Sequence, residues 1–516
     1  MTSGAPVRFG TDAPRPEQIA AVADGAPVEL TTGARETLAA SRAVVERAIE
    51  SGEAVYGLNR RLGAGRDDVV DPAEFAAFQR RTIANHRGGV GDPLSEREAR
   101  AVVAARLAGF TRGGAGVRPV LAQAYADILN AGVVPFIPSR GSVGAADLTA
   151  LAEVIAVVTG DGTVLDGTVL DGTVLDGTVP DSTVGGTAAR DALQAAGLEP
   201  LDPAPHEALA ALSSNAYSIG VGSLALREAE SLTVMADHAV ALSLEAAAAA
   251  GPAGNPSPYT AVVAEARGGR GQIGSATAIR DALAGSVLYD ADRAVTVQDP
   301  LAFRSAPQLH GALREAVERV RAEVELELAA RSENPVVDIA SGRLVSGGNF
   351  QALPLALAFE GLRLAIAHVA AAAERRTAAH SLALGPARAD GRTRVAGLLL
   401  YSAASAAAEL KQLAVPATLG STTLSGVEDH ASLAPLALRL AQRSLALAAE
   451  VFAAEALHAV ELLHVVGAFP AGAVTGPLAL RLDELIASGS PARILVRAAA
   501  EAIGSQSAAT SLRNAR

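Results

Sequence analysis

The chain has 516 residues, half of them apolar and only 3% aromatic, with no tryptophan and no cysteine. The missing cysteines exclude disulfides, thiolate nucleophiles and cysteine-ligated metals, and the histidines form no paired metal-binding motif, so no metal is expected. A net charge of −12 argues against nucleic acid as a partner, because such binding rests on neutralising phosphates with Lys and Arg.

Residues 1–20 hold Arg8, Asp12, Arg15 and Glu17 and no apolar core, so they do not read as a secretion signal. From there to residue 150, helix-like segments alternate with glycine-rich loops, notably "YGLNRRLGAGRDD" and "HRGGVGDP". The stretch "SRGSVGAADLTALAEV", 139–154, is a Gly/Ser elbow feeding a helix, a common place for an active site, yet its apex is Ala-Ala-Asp. Residues 159–186 repeat a five-residue Asp-Gly-Thr-Val-Leu unit. Asp-Gly marks turns and Thr-Val favours strand, which suggests an expanded surface hairpin or loop rather than a calcium-binding repeat.

Beyond residue 190 a helical period takes over, and the Ala/Leu-rich composition favours it, since these side chains lose little rotamer freedom in a helix. Long helices are expected in 207–250, 310–334, 395–414 and 433–466. None of the apolar stretches reads as reaching the roughly 18 uncharged residues of a membrane crossing. The expectation is an all-α, cytoplasmic protein without a membrane partner, divided into an active-site region (1–190) and a helical bundle (191–516). The broad apolar faces within 310–470 call for subunit partners.

Seven words then line up in order: "VYGLNRRLG", "FQRRTIANHRGGVGDPL", "GVRPVLAQAYADILNAGVVPFIPSRGSVGAADL", "RGGRGQ", "VQDPLAFRSAPQLHGA", "ENPVVDIASGRLVSGGNF" and "AAELKQLAVPATLGSTTLSGVEDHASLAP". Together, over roughly residues 30–510, they resemble the aromatic amino acid lyases, most closely the histidine ammonia-lyases. The resemblance implies a long-helix bundle and a homotetramer whose active sites are shared by several subunits. It also implies an electrophile, methylideneimidazolone (MIO), made from Ala-Ser-Gly within "GSVGASGDL". This chain reads "GSVGAADL", one residue short, so Ala145, Ala146 and Asp147 form a degenerate MIO position and no cofactor is expected. Ser142 is followed by Val143 where the family uses Gly.

Carried over position by position, the resemblance makes Tyr56 the catalytic base and Arg304 the carboxylate ligand, while the family's second Tyr is Leu301 here. Ser213 aligns with a family Asn, with Asn215 two residues on. His86, Gln272, Asn349, Phe350 and Glu409 stand where the family has pocket residues. Arg60, Arg61 and Arg81 replace family Thr, Gly and Asn, and Arg87 follows His86. These arginines read either as a solvated face or as an anion-receiving pocket able to lower the Tyr56 pKa. Structural roles stay open for Tyr56 and Gln272 as loop holders, Phe350 as core and Glu409 as a helix-surface charge. Two functions follow. One is an MIO-independent lyase-like enzyme that acts on a small anionic carboxylate by elimination, addition or cyclisation. The other is a non-catalytic homologue that binds a small molecule or a partner protein. Conventional ammonia release is not expected.

Overall fold

The computed structural model describes residues 5–165, 186–250, 254–290, 296–419 and 428–511. Helices dominate them, and the strands form four two-stranded ladders. Contacts divide the chain into two units, each discontinuous in sequence. The first comprises 1–226, 321–357 and 417–438, and the second comprises 227–320, 358–416 and 439–516. The boundary expected at residue 190 therefore falls inside the first unit.

Local chemistry sets the helix ends in the first unit. Thr31 caps the helix Thr32–Ser51 by accepting the Ala34 N–H, and Gly52 ends it in the left-handed region. Ser95 and Glu98 form a reciprocal capping box on Glu96–Thr111. That helix crosses the start of Ala216–Ala250 at backbone contact, since a Cβ on Gly220 would lie 2.5 Å from the Ala101 carbonyl oxygen. Beneath them Arg106 is fully buried, pairing with Glu333 at 3.0 Å and donating to the carbonyls of Ala210 and Ala211. Burying a guanidinium is tolerated here because its donors meet a carboxylate and two helix-end carbonyls.

In the second unit the helices Arg270–Ala282 and Ala306–Ala329 meet at Gly271 and Gly311, where a Cβ on Gly271 would sit 2.2 Å from the Gly311 carbonyl oxygen. Two buried carboxylates organise the rest. Asp237 accepts from His310, Ser275 and Arg314, and Glu455 accepts from Arg376 and Ser243.

The absence of spanning-length apolar stretches is corrected. Glu207–Ala250 and Leu353–Ala383 are long and apolar enough by length and composition, but 89% and 61% of their most apolar windows are buried inside the protein. Core helices of an Ala/Leu protein acquire that hydropathy by packing. Thr163–Val164 pairs antiparallel with Thr187–Ala188, and most of the five-residue repeat, 166–185, lies outside the described residues.

Candidate active site

The Gly/Ser elbow belongs to the first unit. The ladder Val90–Pro93 with Pro138–Arg140 delivers the chain to it, and the helix Leu148–Val158 carries the chain away. Between them the backbone is held by two distant segments. Leu433 N–H donates to the Val143 carbonyl at 2.8 Å, and Ser432 Oγ donates to the Gly144 carbonyl at 2.7 Å. On the other flank Ala145 bridges Gln351, and Ala146 N–H donates to the Phe350 carbonyl at 3.2 Å. Gly144 sits at φ 79°, and a Cβ there would lie 2.2 Å from Ser432 Oγ, so only glycine fits. Ala146 also lies in the left-handed region, at φ 58°.

Asp147 stands where the elbow turns into the helix. It occupies the N-cap of Leu148–Val158 but makes no side-chain bond there. Its carboxylate is fully buried, accepting the Ser142 hydroxyl at 2.6 Å and the Ser218 N–H at 2.9 Å, in the first turn of Ala216–Ala250. Burial pushes this carboxyl above its ordinary range, opposed by the hydrogen bonds from Ser142 and Ser218. Glu327 lies nearby, raised first by burial despite the Asn215 amide bonded to it at 3.0 Å, and raised further by the charge of Asp147.

The two candidates for the family Asn are both buried and engaged. Ser213 Oγ accepts the Asn334 N–H at 2.9 Å, and Asn215 donates to Glu327, although its Oδ1 has no partner among the described residues. Asn349 is exposed and donates to the Arg331 carbonyl, while Phe350 is half-buried and meets the elbow through its backbone.

Tyr56 opens a tight loop in which the Val55 carbonyl accepts the amides of Leu58, Asn59 and Arg60. Its phenol oxygen accepts the Gly63 N–H at 3.1 Å. The phenol is pushed up, not down. Burial is the largest cause, the Gly63 bond opposes it, Glu428 adds to it, and Arg66 offsets it least. The expectation that arginines depress Tyr56 is thereby corrected, since none of the candidate arginines is among the groups that shift it. Half-buried Arg60 donates to the neighbouring Asn59 carbonyl, and Arg61 is exposed. Arg81 pairs loosely with Glu74 at 3.8 Å. Arg87 is committed to Glu153 at 2.9 Å and to the Asp161 carbonyl. His86 ends the helix Phe75–His86 with Nδ1 donating to the Thr82 carbonyl at 2.7 Å.

The second unit holds the remaining candidates. Gln272 is buried, and its Oε1 has no partner among the described residues. Glu409 is exposed and bonded twice by Arg443, at 2.8 and 3.2 Å, which holds its carboxyl below the ordinary range. Its reading as a helix-surface charge is the one the geometry matches. Arg304 ends the short helix Leu301–Arg304 and lines a cavity of about 460 Å³ with Asp299, Leu301 and Gln308. Its buried Nε has no partner among the described residues.

Several contacts escaped sequence reading. Ser432, Glu327 and Arg443 have no signal of their own, whereas Gln308 could have been found four residues after Arg304 in a segment already singled out. Among the described residues no group of three or more His, Asp or Glu could hold a metal ion. Nor do the elbow residues fit MIO. Ser142 has the one hydroxyl in 141–148, it is bonded to Asp147, and Val143 follows it.

The family pattern described as aromatic amino acid lyase matches residues 15–481. The chain is 38% identical to a histidine ammonia-lyase of Anaeromyxobacter dehalogenans (strain 2CP-C) over 429 residues, covering 81% of this chain and 82% of that one. It is 32% identical to a histidine ammonia-lyase of Symbiobacterium thermophilum over 497 residues, covering 95% and 94%. Among solved structures, it resembles the ergothioneine-degrading enzyme ergothionase of Treponema denticola, in complex with desmethyl-ergothioneine sulfonic acid, with a TM-score of 0.86, 25% identity and coverage of 98% and 99%. It also resembles a tyrosine aminomutase of Streptomyces globisporus, with a TM-score of 0.84, 26% identity and 97% coverage of both chains. The chain belongs to the aromatic amino acid lyase family.

Proposed function

We propose that this protein is an MIO-independent lyase-like enzyme acting on a small, amino-acid-derived carboxylate. The observation that carries the reading is Arg304, which lines a cavity large enough for such a molecule and makes no ion pair among the described residues. A guanidinium with no carboxylate partner among the described residues is suited to a ligand carboxylate, which it can bind bidentately. Histidine, tyrosine and ergothioneine, the compounds in the relatives' names, all carry an α-carboxylate, which supports the same class.

Elimination of an α-amine is difficult because ammonia leaves poorly. With Ala145-Ala146-Asp147 at the elbow, the reaction proposed has a better leaving group, or is a proton transfer α to the carboxylate followed by addition or cyclisation. Tyr56 is the proposed base, and it must first lose its proton. Because burial raises that phenol, turnover rises with pH into the alkaline range. We also place the protein in the cytoplasm as a homotetramer. Leu357, Leu364, Leu382 and Tyr401 are exposed on helices of a single chain, which supports burial between copies.

The test is turnover of a panel of amino-acid-derived carboxylates, with products identified by mass spectrometry, by wild type and Tyr56→Phe. Turnover lost with carboxylate binding kept supports the proposal. Undiminished turnover in Tyr56→Phe removes Tyr56 as base. The raised, Gly63-bonded phenol favours one second reading, a homologue that binds without turning over, and no product from wild type would establish it.

A further inference from the structure

His430 stands at the rim of the elbow and takes no part in the reaction as proposed. Its segment runs past the elbow in the opposite direction. Leu433 N–H meets the Val143 carbonyl and Ser432 Oγ the Gly144 carbonyl, which carries the preceding residues toward Ala145. Gln351 closes the same corner, bridged to Ala145 through its backbone and bonded to His430 through its side chain. Two residues before His430, Glu428 is near enough to the Tyr56 phenol to raise it. Along this segment, therefore, His430 falls between the Tyr56 phenol and Ala145, and all of these residues belong to the first unit.

The hydrogen bonds also fix which ring nitrogen carries the proton. The side-chain nitrogen of Gln351 lies 3.3 Å from the His430 carbonyl oxygen, which can only accept, so this end of the amide is the NH2. The same NH2 lies 3.2 Å from His430 Nδ1, which accepts with its lone pair. The ring proton then sits on Nε2, at the far edge of an exposed side chain, and Nε2 has no partner among the described residues. A fixed N–H donor at the place where charge develops is worth roughly 10²–10³ in rate.

We propose that His430 is a further catalytic residue of the elbow, whose Nε2–H receives the leaving group, and that the substrate is a carboxylate whose substituent departs as an oxygen or sulfur anion. The inference rests on the reading of Tyr56 as base. In the step, the Tyr56 phenolate takes a proton from the carbon next to the one bearing the substituent. The electron pair of that C–H bond becomes the C=C bond, and the pair of the breaking bond leaves on the oxygen or sulfur. Nε2–H bonds this new anion and keeps its own proton. An ammonium group has no lone pair to accept from Nε2–H, so an amine gains nothing here.

The experiment follows cinnamate release by the full-length protein from O-acetylphenyllactate, which expels acetate, and from phenylalanine, which expels ammonia. Wild type should turn over the ester and not the amino acid. His430→Leu should lower kcat about 100-fold with KM little changed, the pattern of a bond made only in the transition state. His430→Gln, whose amide N–H reaches the place of Nε2, should restore most of the loss, and circular dichroism checks that both variants fold. Solid-state 15N spectra of histidine-labelled wild type, assigned with His430→Gln, should show a bare Nδ1 and a protonated Nε2 that shifts when acetate is added. A protonated Nδ1, an Nε2 indifferent to acetate, undiminished turnover in His430→Leu, or turnover of other carboxylates but not of the ester overturns the inference. Tyr56-dependent turnover that ignores His430 removes this inference alone. A wild type that turns over no carboxylate removes the reading of Tyr56 and this one together.

Discussion

Replacing Asp147 should separate its charge from its hydrogen bonds. Its carboxylate is wholly buried, its pKa is raised by that burial, and it accepts from Ser142 and Ser218. A carboxyl whose folded pKa exceeds its unfolded value adds stability that is fully present below the unfolded value of about 3.8 and is lost as pH rises through the raised one. Each unit of such a shift corresponds to about 1.4 kcal/mol. Asp147→Asn keeps an acceptor for the Ser218 N–H and lets the Ser142 hydroxyl turn to accept from the new amide, but carries no charge. Its thermal midpoint relative to wild type should therefore climb from below about pH 4 toward neutrality. Removing the charge also relieves Glu327, which Asp147 pushes up, so the two effects have one sign. Asp147→Ala leaves the Ser218 N–H without its acceptor and the Ser142 hydroxyl with only the Ala146 carbonyl at 3.3 Å, and should lie about 1–3 kcal/mol below Asp147→Asn at every pH, the cost of one unpaired buried group. Differential scanning calorimetry across that range, with each variant compared to wild type, gives both curves. A midpoint difference for Asp147→Asn that stays flat or falls with pH would refute the argument that the charge is buried at a cost.

The remaining predictions concern the elbow. Gly144→Ala should destabilise the protein by several kcal/mol or fail to fold, because its Cβ would lie 2.2 Å from Ser432 Oγ at a positive φ; Ser432→Ala in the same chain should recover part of the loss, and calorimetric midpoints of the single and double variants decide it. Intact mass should equal that of the translated chain apart from Met1 processing. A loss of water mapped to 142–147 would show that a cyclised group forms after all, and ammonia release from histidine, phenylalanine or tyrosine would point the same way. Light scattering should give a tetramer, unchanged by deleting most of the 159–186 repeat, which the sequence reads as a hairpin or loop, because loop length costs only about 0.6 kcal/mol per doubling; a stable monomer would refute the assembly.

The helices were legible because Ala and Leu at helical spacing leave few alternatives, and the family was legible because seven words keep their order. Partnerships were not. Asp147 starts the helix Leu148–Val158, and its bond to Ser218 crosses 71 residues of chain, which no local pattern marks. Arg87 looked free to receive an anion, but its partner Glu153 is 66 residues away. Tyr56 illustrates a different limit, because neighbouring arginines in sequence suggested a lowered pKa while burial, a property of the folded loop, raises it. The two-unit division was hidden for the same reason. It gathers 321–357 and 417–438 around the elbow, and no local composition shift marks either segment.

The elbow is tied down through its own main chain. The carbonyls of Val143 and Gly144 and the amides of Ala146 and Asp147 make the tethers to the 350 and 432 segments and to Ser214. The side chains of Ala145 and Ala146 take no part in those tethers. Form and chemistry are consequently separable at position 145, which a lineage could exchange without rebuilding the scaffold, whereas Ala146 is buried and held at φ 58°. Such freedom ends at Gly144, where any side chain meets Ser432, so inheritance there is steric.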